Sequence, residues 1–410
     1  MIAYHYPPFG GGSGIHRTLK FSRYLPEYGW QPIVLTCNPR AYPRKETGLD
    51  IPPGVLTARA FALDTSRHLA FRGAYSRWMA LPDRWMTWWP AAVGLGALLI
   101  RKHRPDVIWS TYPIATAHMI ALALHQGSRL PWVADYRDPM VQKDPVSGED
   151  YPVEPLARRV CSWIERRTVK HSSRIVFTTP GTLSMYARRF PEAPSSQLAV
   201  ISNGYDEEDF AAAEQQVHAR RLPRKPLVLV HSGVLYPSER DPKSFFEALS
   251  ELRRSGQISP STVKVILRAT GHDDHYRVSL EKLGIADMVS LEPGISHRKA
   301  LVEMLEAHGL LIFQAANCNQ QIPAKAYECL RARRPIFAMT DPVGDTAALL
   351  RGDGVESIVP LDSKEAIAEG LIKFLAVLSN NHSERPLVKG RSRKDRTGEL
   401  AALLDSVCTG

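Results

Sequence analysis

Leu227-Val228-Leu229-Val230, closed at once by His231-Ser232-Gly233, is the stretch that divides this chain. Four apolar residues in a row suit a strand covered on both faces, and the glycine ends it. The run stands just after a polar stretch, residues 206–226, that finishes at Pro223 and Pro226. Downstream, Val263 to Leu267, Val289-Ser290-Leu291, Leu310 to Phe313, Ile336-Phe337-Ala338 and Ser357-Ile358-Val359 repeat the pattern, with helical spacers between them. Upstream, an equivalent series already exists: Ile33-Val34-Leu35-Thr36, Val107-Ile108-Trp109-Ser110, Trp132-Val133-Ala134-Asp135, Ile175-Val176-Phe177-Thr178 and Ala199-Val200-Ile201. Apolar strands alternating with helices imply parallel sheets with right-handed crossovers. Two series imply an α/β chain of two Rossmann-like lobes, residues 1–205 and 227–380, with 206–226 as linker. Residues 381–410 add a basic stretch and a last helix, from about Lys394 to Val407, expected to pack back on the first lobe. Ligands of such sheets sit outside the carboxyl ends of the strands, so two facing lobes would put both edges around one cleft.

Composition narrows the class. Five cysteines, Cys37, Cys161, Cys318, Cys329 and Cys408, lie far apart without a Cys-x-x-Cys pair. This points to a reducing, cytoplasmic setting rather than a disulfide framework or zinc knuckle. The opening Met1 to Tyr6 lacks a basic leader and reads as a β-strand, short at its front. The longest apolar run, Pro90 to Ile100, falls well short of the roughly 20 residues that span a bilayer. The net charge of +10 is one-sided: residues 1–200 carry 25 Lys and Arg against 14 Asp and Glu, the remainder 27 against 28. A basic first half is drawn to phospholipid, lipid-pyrophosphate or nucleic acid, or is simply a solvated face.

Several strand-end loops carry chemistry. Pro7-Pro8-Phe9-Gly10-Gly11-Gly12-Ser13-Gly14-Ile15-His16-Arg17 follows the first strand and leads into a helix. Its glycines let a ligand approach the backbone, and the helix start offers N–H groups to an anion. The G-x-G-x-x-G spacing fails at Ile15, and no Lys-Ser or Lys-Thr makes it a P-loop. Ser110-Thr111-Tyr112-Pro113 leads to His118, read as an ordinary surface histidine. Asp135-Tyr136-Arg137-Asp138-Pro139 sets two carboxylates around an arginine at a strand's end. It is either a structural ion pair or a place where Arg137 holds a phosphate or hydroxyl and an aspartate orients or deprotonates one. Ser202-Asn203-Gly204-Tyr205-Asp206 is a turn.

In the second half, Gly233 is followed by Arg240 and Lys243, a glycine turn with cations that suits a pyrophosphate. Gln320-Gln321-Ile322-Pro323 then opens a helix on which Lys325 and Glu328 stand three apart. A carboxylate there can accept both hydroxyls of a ribose; the plainer reading is a surface Lys–Glu pair. His272-Asp273-Asp274-His275 reads as a polar loop rather than a metal cluster, and no Asp-x-Asp, His-Glu-x-x-His or Gly-x-Ser-x-Gly motif occurs. Neither a metal nor a cofactor is expected.

Taken together, Tyr4 to Arg17, Ala134 to Pro139, Ile201 to Asp206 and Ile322 to Glu328 resemble, in order and spacing, the retaining GT-B glycosyltransferases of family four. Within it they look most like the polysaccharide-biosynthesis branch. The resemblance implies a nucleotide-sugar donor and a glycan or lipid-linked acceptor. On it, Gly11, Gly12, Gly233, Arg240, Lys243, Lys325 and Glu328 would bind the donor, and Gly14, Arg17 and Asp135 the acceptor. Arg137, Asp138 and Arg240 would serve catalysis, with cations and backbone dipoles opposing the charge on the leaving diphosphate. The chain departs from the family at three places. Gln320 replaces the first glutamate of a paired motif, Val234 an arginine, and Arg137 a histidine.

Trp78 to Trp89 holds four tryptophans, and Leu156, Val160, Trp163 and Ile164 line up beside Arg158, Arg159, Arg166 and Arg167. Aromatics with arginines suit a headgroup boundary, here the anionic inner face of the cytoplasmic membrane; a buried aromatic core is the other reading. Two further functions stay open: a non-catalytic nucleotide-sugar or glycan-binding protein, and a dinucleotide-dependent oxidoreductase. Nucleic-acid binding lacks a reader motif.

Overall fold

The computed structural model describes residues 1–10, 14–46, 48–144, 146–217, 225–380, 385–386 and 389–409. The chain forms two compact units, Met1–Asn203 with Arg393–Gly410, and Gly204–Ser392.

The first unit carries strands β1 (Ile33–Cys37), β2 (Leu56–Ala60), β3 (Ile108–Thr111), β4 (Trp132–Tyr136), β5 (Gln142–Lys143), β6 (Asp150–Tyr151), β7 (Arg174–Phe177) and β8 (Leu198–Val200). Its helices are α1 (Gly14–Tyr24), α2 (Thr65–His68), α3 (Trp88–His103), α4 (Ala115–Ser128), α5 (Pro155–His171) and α6 (Pro180–Arg189). β3-β4-β7-β8 are parallel neighbours, and β1 pairs with β2 in parallel. The opening residues join the two groups, because Ile2 bridges both Leu35 and Ser110. They were expected to form a full strand but pair only at Ile2. The physical reason is next door: the Tyr4 carbonyl accepts from Thr36 Oγ1 at 3.2 Å and Tyr42 Oη at 3.0 Å, which takes it out of a ladder. The β5–β6 ribbon is antiparallel. The expected return of the last helix is seen: Arg393–Cys408 sets Leu400, Ala401 and Leu404 against Phe21 and Leu25. Trp30 Nε1 donates to Asp405 at 3.0 Å.

The second unit begins earlier than its first strand. Residues read as linker include α7 (Glu207–Glu214), capped by Asp206, whose carboxylate accepts from Glu208 N and Asp209 N. Arg331, itself buried, donates to Glu207 and Glu214, and its guanidinium covers Phe210. These contacts tie α7 to the second unit.

Strands β9 (Leu227–Ser232), β10 (Val263–Arg268), β11 (Val289–Glu292), β12 (Gly309–Phe313), β13 (Ile336–Met339) and β14 (Ile358–Val359) follow in sequence. Helices α8 (Lys243–Arg254), α9 (Asp273–Lys282), α10 (His297–Leu305), α11 (Ala324–Arg331), α12 (Asp345–Gly352) and α13 (Lys364–Asn380) alternate with them. The sheet is parallel, in the order β11-β10-β9-β12-β13-β14. Leu229, Val265 and Phe337 are fully buried in it, as continuous apolar runs require. The order reverses between β9 and β12, and the crevice at that switch point is where doubly wound sheets bind ligands. Gly233 ends β9 there, and α11 follows β12.

Candidate functional site

In the second unit the loop after β9 and the start of α11 meet. Gly233 has φ +142°, and a Cβ placed on it would lie 2.5 Å from Cε of Lys325. The glycine thus makes room for the lysine side chain, whose Nζ would be 3.5 Å from that Cβ. Arg240 lines the same small cavity as Ser232, Pro323 and Lys325. Its Nη1 donates to the Val234 carbonyl at 3.4 Å, and its guanidinium lies 5.9 Å from the Tyr236 ring centroid. Two cations therefore flank one glycine at the carboxyl end of the central strand. His231 forms the floor: Nδ1 lies 2.9 Å from the Leu311 carbonyl, and burial pushes the imidazole down to about 3, so it stays neutral.

Glu328 is half-buried, with Oε1 3.8 Å from Nε2 of His297 at the start of α10. Lys325 and Glu328 share α11, but among the described residues no ion pair joins them; the lysine runs past Gly233 and the carboxylate faces His297. Lys243 differs from its partners. It opens α8 with an exposed side chain and does not line the cavity of Arg240 and Lys325. Val234, where an arginine was looked for, packs toward the turn at Gly271. His272 to His275 is no loop: α9 starts at Asp273. Among the described residues no group of three or more His, Cys, Asp or Glu is placed to hold a metal.

In the first unit Gly11 and Gly12 lie outside the described residues. Gly14 opens α1, and a Cβ there would be 2.9 Å from His5 Nδ1 and 3.2 Å from both terminal nitrogens of Arg137. Arg137 Nη1 donates to the Gly14 carbonyl at 2.7 Å. Thr178 Oγ1 donates to the Arg137 carbonyl at 2.8 Å and fixes the loop from behind. Asp138 sits beside it, its carboxyl raised by burial and by the Asp135 charge against the opposing pull of Arg137. Sequence reasoning missed His5. It stacks on Phe9 at 4.3 Å, and burial, with Arg137 nearby, lowers it to about 3. Its place inside the Tyr-x-x-Pro stretch was the available signal.

Arg17 and Asp135 require a correction. They are 4% and 0% exposed and form a buried pair, with Arg17 Nη2 2.7 Å from Asp135 Oδ1 and Nε 3.0 Å from Oδ2. Arg17 also donates to the carbonyls of Ile201 and Ser202, and Thr111 Oγ1 donates to Asp135. This network ties α1 to three strand ends and leaves Asp135 no face for an acceptor. His118, expected at the surface, is fully buried: Nδ1 lies 2.8 Å from Ser110 Oγ, and burial lowers the imidazole to about 3.

The tryptophan stretch divides. Trp88 is fully buried and Trp85 and Trp89 partly so, while Trp78 stands out. Among the described residues no helix is long and apolar enough to cross a membrane.

Residues 12–204 match the family described as glycosyl transferase 4-like domain. No curated protein matches the sequence. Among solved structures, sucrose-phosphate synthase from Thermosynechococcus elongatus aligns at 16% identity, over 100% of this chain and 96% of that one, with a TM-score of 0.61. HepE from Anabaena, solved in complex with UDP-glucose, aligns at 13% over 99% of each chain, TM-score 0.60. An α,α-trehalose-phosphate synthase (UDP-forming) from Burkholderia xenovorans, in complex with glucose-6-phosphate, aligns at 14% over 100% and 99%, TM-score 0.65. The chain shares the GT-B fold of these enzymes, and with the family match over residues 12–204 this supports a glycosyltransferase. More narrowly, its first unit is a glycosyl transferase 4-like domain.

Proposed function

We propose that this enzyme moves a hexose-type sugar from a nucleotide-sugar donor to a glycan or lipid-linked acceptor, with retention at the anomeric carbon, in building a cell-surface polysaccharide. The observation that carries the donor reading is the pair Lys325 and Arg240 beside Gly233 at the switch point of the second sheet. In the transfer the anomeric C–O bond to the diphosphate breaks. The acceptor oxygen bonds to the same carbon from the same face, and its proton leaves with the diphosphate. Negative charge grows on the leaving oxygen, and two fixed cations stabilise it most at that moment. Glu328 takes the ribose hydroxyls. In the first unit, Arg137 and Asp138 meet an acceptor hydroxyl, and the loop is held by the Arg17–Asp135 pair. HepE was solved with UDP-glucose, and the trehalose-phosphate synthase is a UDP-forming enzyme, which supports a nucleotide-sugar donor here. The enzyme works on the inner face of the cytoplasmic membrane, peripherally, where a lipid-linked acceptor resides.

A thermal-shift screen of nucleotide sugars tests the donor reading, since a ligand that binds only the folded state raises the midpoint. No shift with any of them sinks it. Gln320, where a carboxylate was looked for, favours a second reading, a nucleotide-sugar-binding protein without transfer. Binding without release of nucleoside diphosphate in the presence of acceptors would select that one.

A further inference from the structure

Between two buried anchors the first unit puts out an excursion, residues 65–82, that nothing in the donor chemistry uses. At one end Asp64, fully buried, accepts from Ser66 N at 3.1 Å and Oγ at 2.8 Å, with Arg84 3.4 Å away. At the other end Asp83 accepts from Thr116 N at 2.8 Å and from Trp85 N at 3.0 Å, fixing it to the start of α4. Thr65 Oγ1 closes the base by donating to the carbonyls of Met79 and Arg84 at 2.8 and 2.9 Å. What stands beyond that base is built, not loose. Phe71 and Ala74 exchange backbone hydrogen bonds at 2.8 and 3.0 Å around Arg72 and Gly73, both in the left-handed region at φ 49° and 80°. That is a tight two-residue hairpin turn.

Every residue from 71 to 79 is exposed. Among them Phe71 is 76% and Trp78 71% exposed, with Tyr75 and Met79 each at 41%. Large side chains of this kind scattered singly mean little, but a contiguous patch marks an interaction surface. Its charge has one sign. Arg67, Arg72 and Arg77 lie within residues 65–82, which hold no Asp or Glu. The Arg72 guanidinium sits 5.5 Å from the Phe71 ring centroid, so charge and aromatic surface are presented together.

We propose that this excursion is the membrane-inserting element of the protein, with Phe71, Tyr75 and Trp78 entering the headgroup boundary and Arg72 and Arg77 pairing with anionic lipid phosphates. The occupant is an anionic bilayer because the patch joins amphipathic aromatics to unopposed arginines, as interfacial anchors do. The anionic membrane is the partner already read in the sequence, but the anchoring residues change: of the four tryptophans of that stretch Trp78 stays exposed, while Trp85, Trp88 and Trp89 pack in or against the core. The inference rests on the membrane part of the proposed function and is independent of the donor site.

The test is flotation of the full chain with vesicles of phosphatidylcholine alone and with three-tenths phosphatidylglycerol, at low and high salt. Two arginines near such a surface contribute roughly thirtyfold in partitioning, most of it lost in high salt. Wild type is expected to float with the anionic vesicles only. F71S/W78S should bind at least tenfold more weakly with an unchanged urea midpoint, since both side chains are already in solvent. R72Q/R77Q should abolish the difference between the two vesicle types. If wild type floats and F71S/W78S floats equally, this element is not the anchor. If wild type stays down with both vesicles, the membrane reading itself fails. A wild-type dimer that ignores vesicles and that F71S/W78S makes monomeric would assign the face to a protein contact instead.

Discussion

Replacing Gly233 by alanine is the most direct probe of the proposed donor site, because the structure fixes what the added carbon meets. The new Cβ would stand 2.5 Å from Lys325 Cε and 3.2 Å from its Cδ. Carbon atoms in contact normally sit about 3.5–4.0 Å apart, so the lysine must swing away. Holding alanine at φ +142° adds a backbone cost of about 1–3 kcal/mol to stability, which a urea titration reads separately. The binding cost comes from the displaced ammonium. A hydrogen bond to a charged group contributes about 1.5–3 kcal/mol, so affinity for a nucleoside diphosphate should fall roughly ten- to a hundredfold. Calorimetry with the diphosphate selected by the thermal-shift screen gives the number. Lys325→Ala should cost about the same. The decisive comparison is G233A/K325A: if the glycine acts by making room for the lysine, the double variant loses no more than K325A alone. Additive losses, or an alanine variant that binds like wild type, would refute the reasoning.

Glu328→Gln keeps the shape of a half-buried side chain but removes its charge; affinity for a ribonucleoside diphosphate should drop several-fold while affinity for inorganic pyrophosphate stays level, both by calorimetry. Arg17→Met leaves the fully buried Asp135 carboxylate without its counter-ion and should cost the first unit about 3–5 kcal/mol in urea unfolding, with R17M/D135N recovering part of it. His118 and His231 are held neutral by burial, each at about 3 against an ordinary value of 6.5. Such groups stabilise fully above pH 6.5 and lose that contribution as pH falls toward 3, because the unfolded state takes up the protons first. By pH 5 the loss is about 2 kcal/mol each, and H118Q should show a shallower decline between pH 7.5 and 5 than wild type.

The strands were legible because a continuous apolar run has few places to go other than a sheet covered on both sides. Leu227–Ser232 and Ile336–Met339 fall where their patterns put them. β2 was not read: Leu56-Thr57-Ala58-Arg59-Ala60 alternates, carries an arginine and begins with an exposed leucine, as an edge strand does. The depth of His118 had a signal that a single-residue reading passes over. Its helix, Ala115 to Ser128, is apolar on nearly every side, and a helix apolar all round lies inside. Asp206 to Glu214 looked like a linker by composition, yet a capping aspartate ahead of three acidic residues is a helix start.

What the local pattern could not show is which charged residue at a strand end is already spent. In Asp135-Tyr136-Arg137-Asp138 all three charges look equivalent. Asp135 still belongs to β4 and is fully buried, where only a counter-ion makes a carboxylate tolerable. That counter-ion, Arg17, is 118 residues away in sequence. Once it is engaged, Asp135 becomes scaffold, and Arg137 and Asp138, just past the end of β4, carry the chemistry proposed for this loop. The same logic separates Lys243 from Lys325. Both follow a strand of the second sheet as expected, but only Lys325 meets a glycine that clears its path, 92 positions upstream at Gly233. Long-range pairings therefore decide which members of a polar motif face a ligand. Substituting Arg17 should unfold the first unit before it alters any step of catalysis.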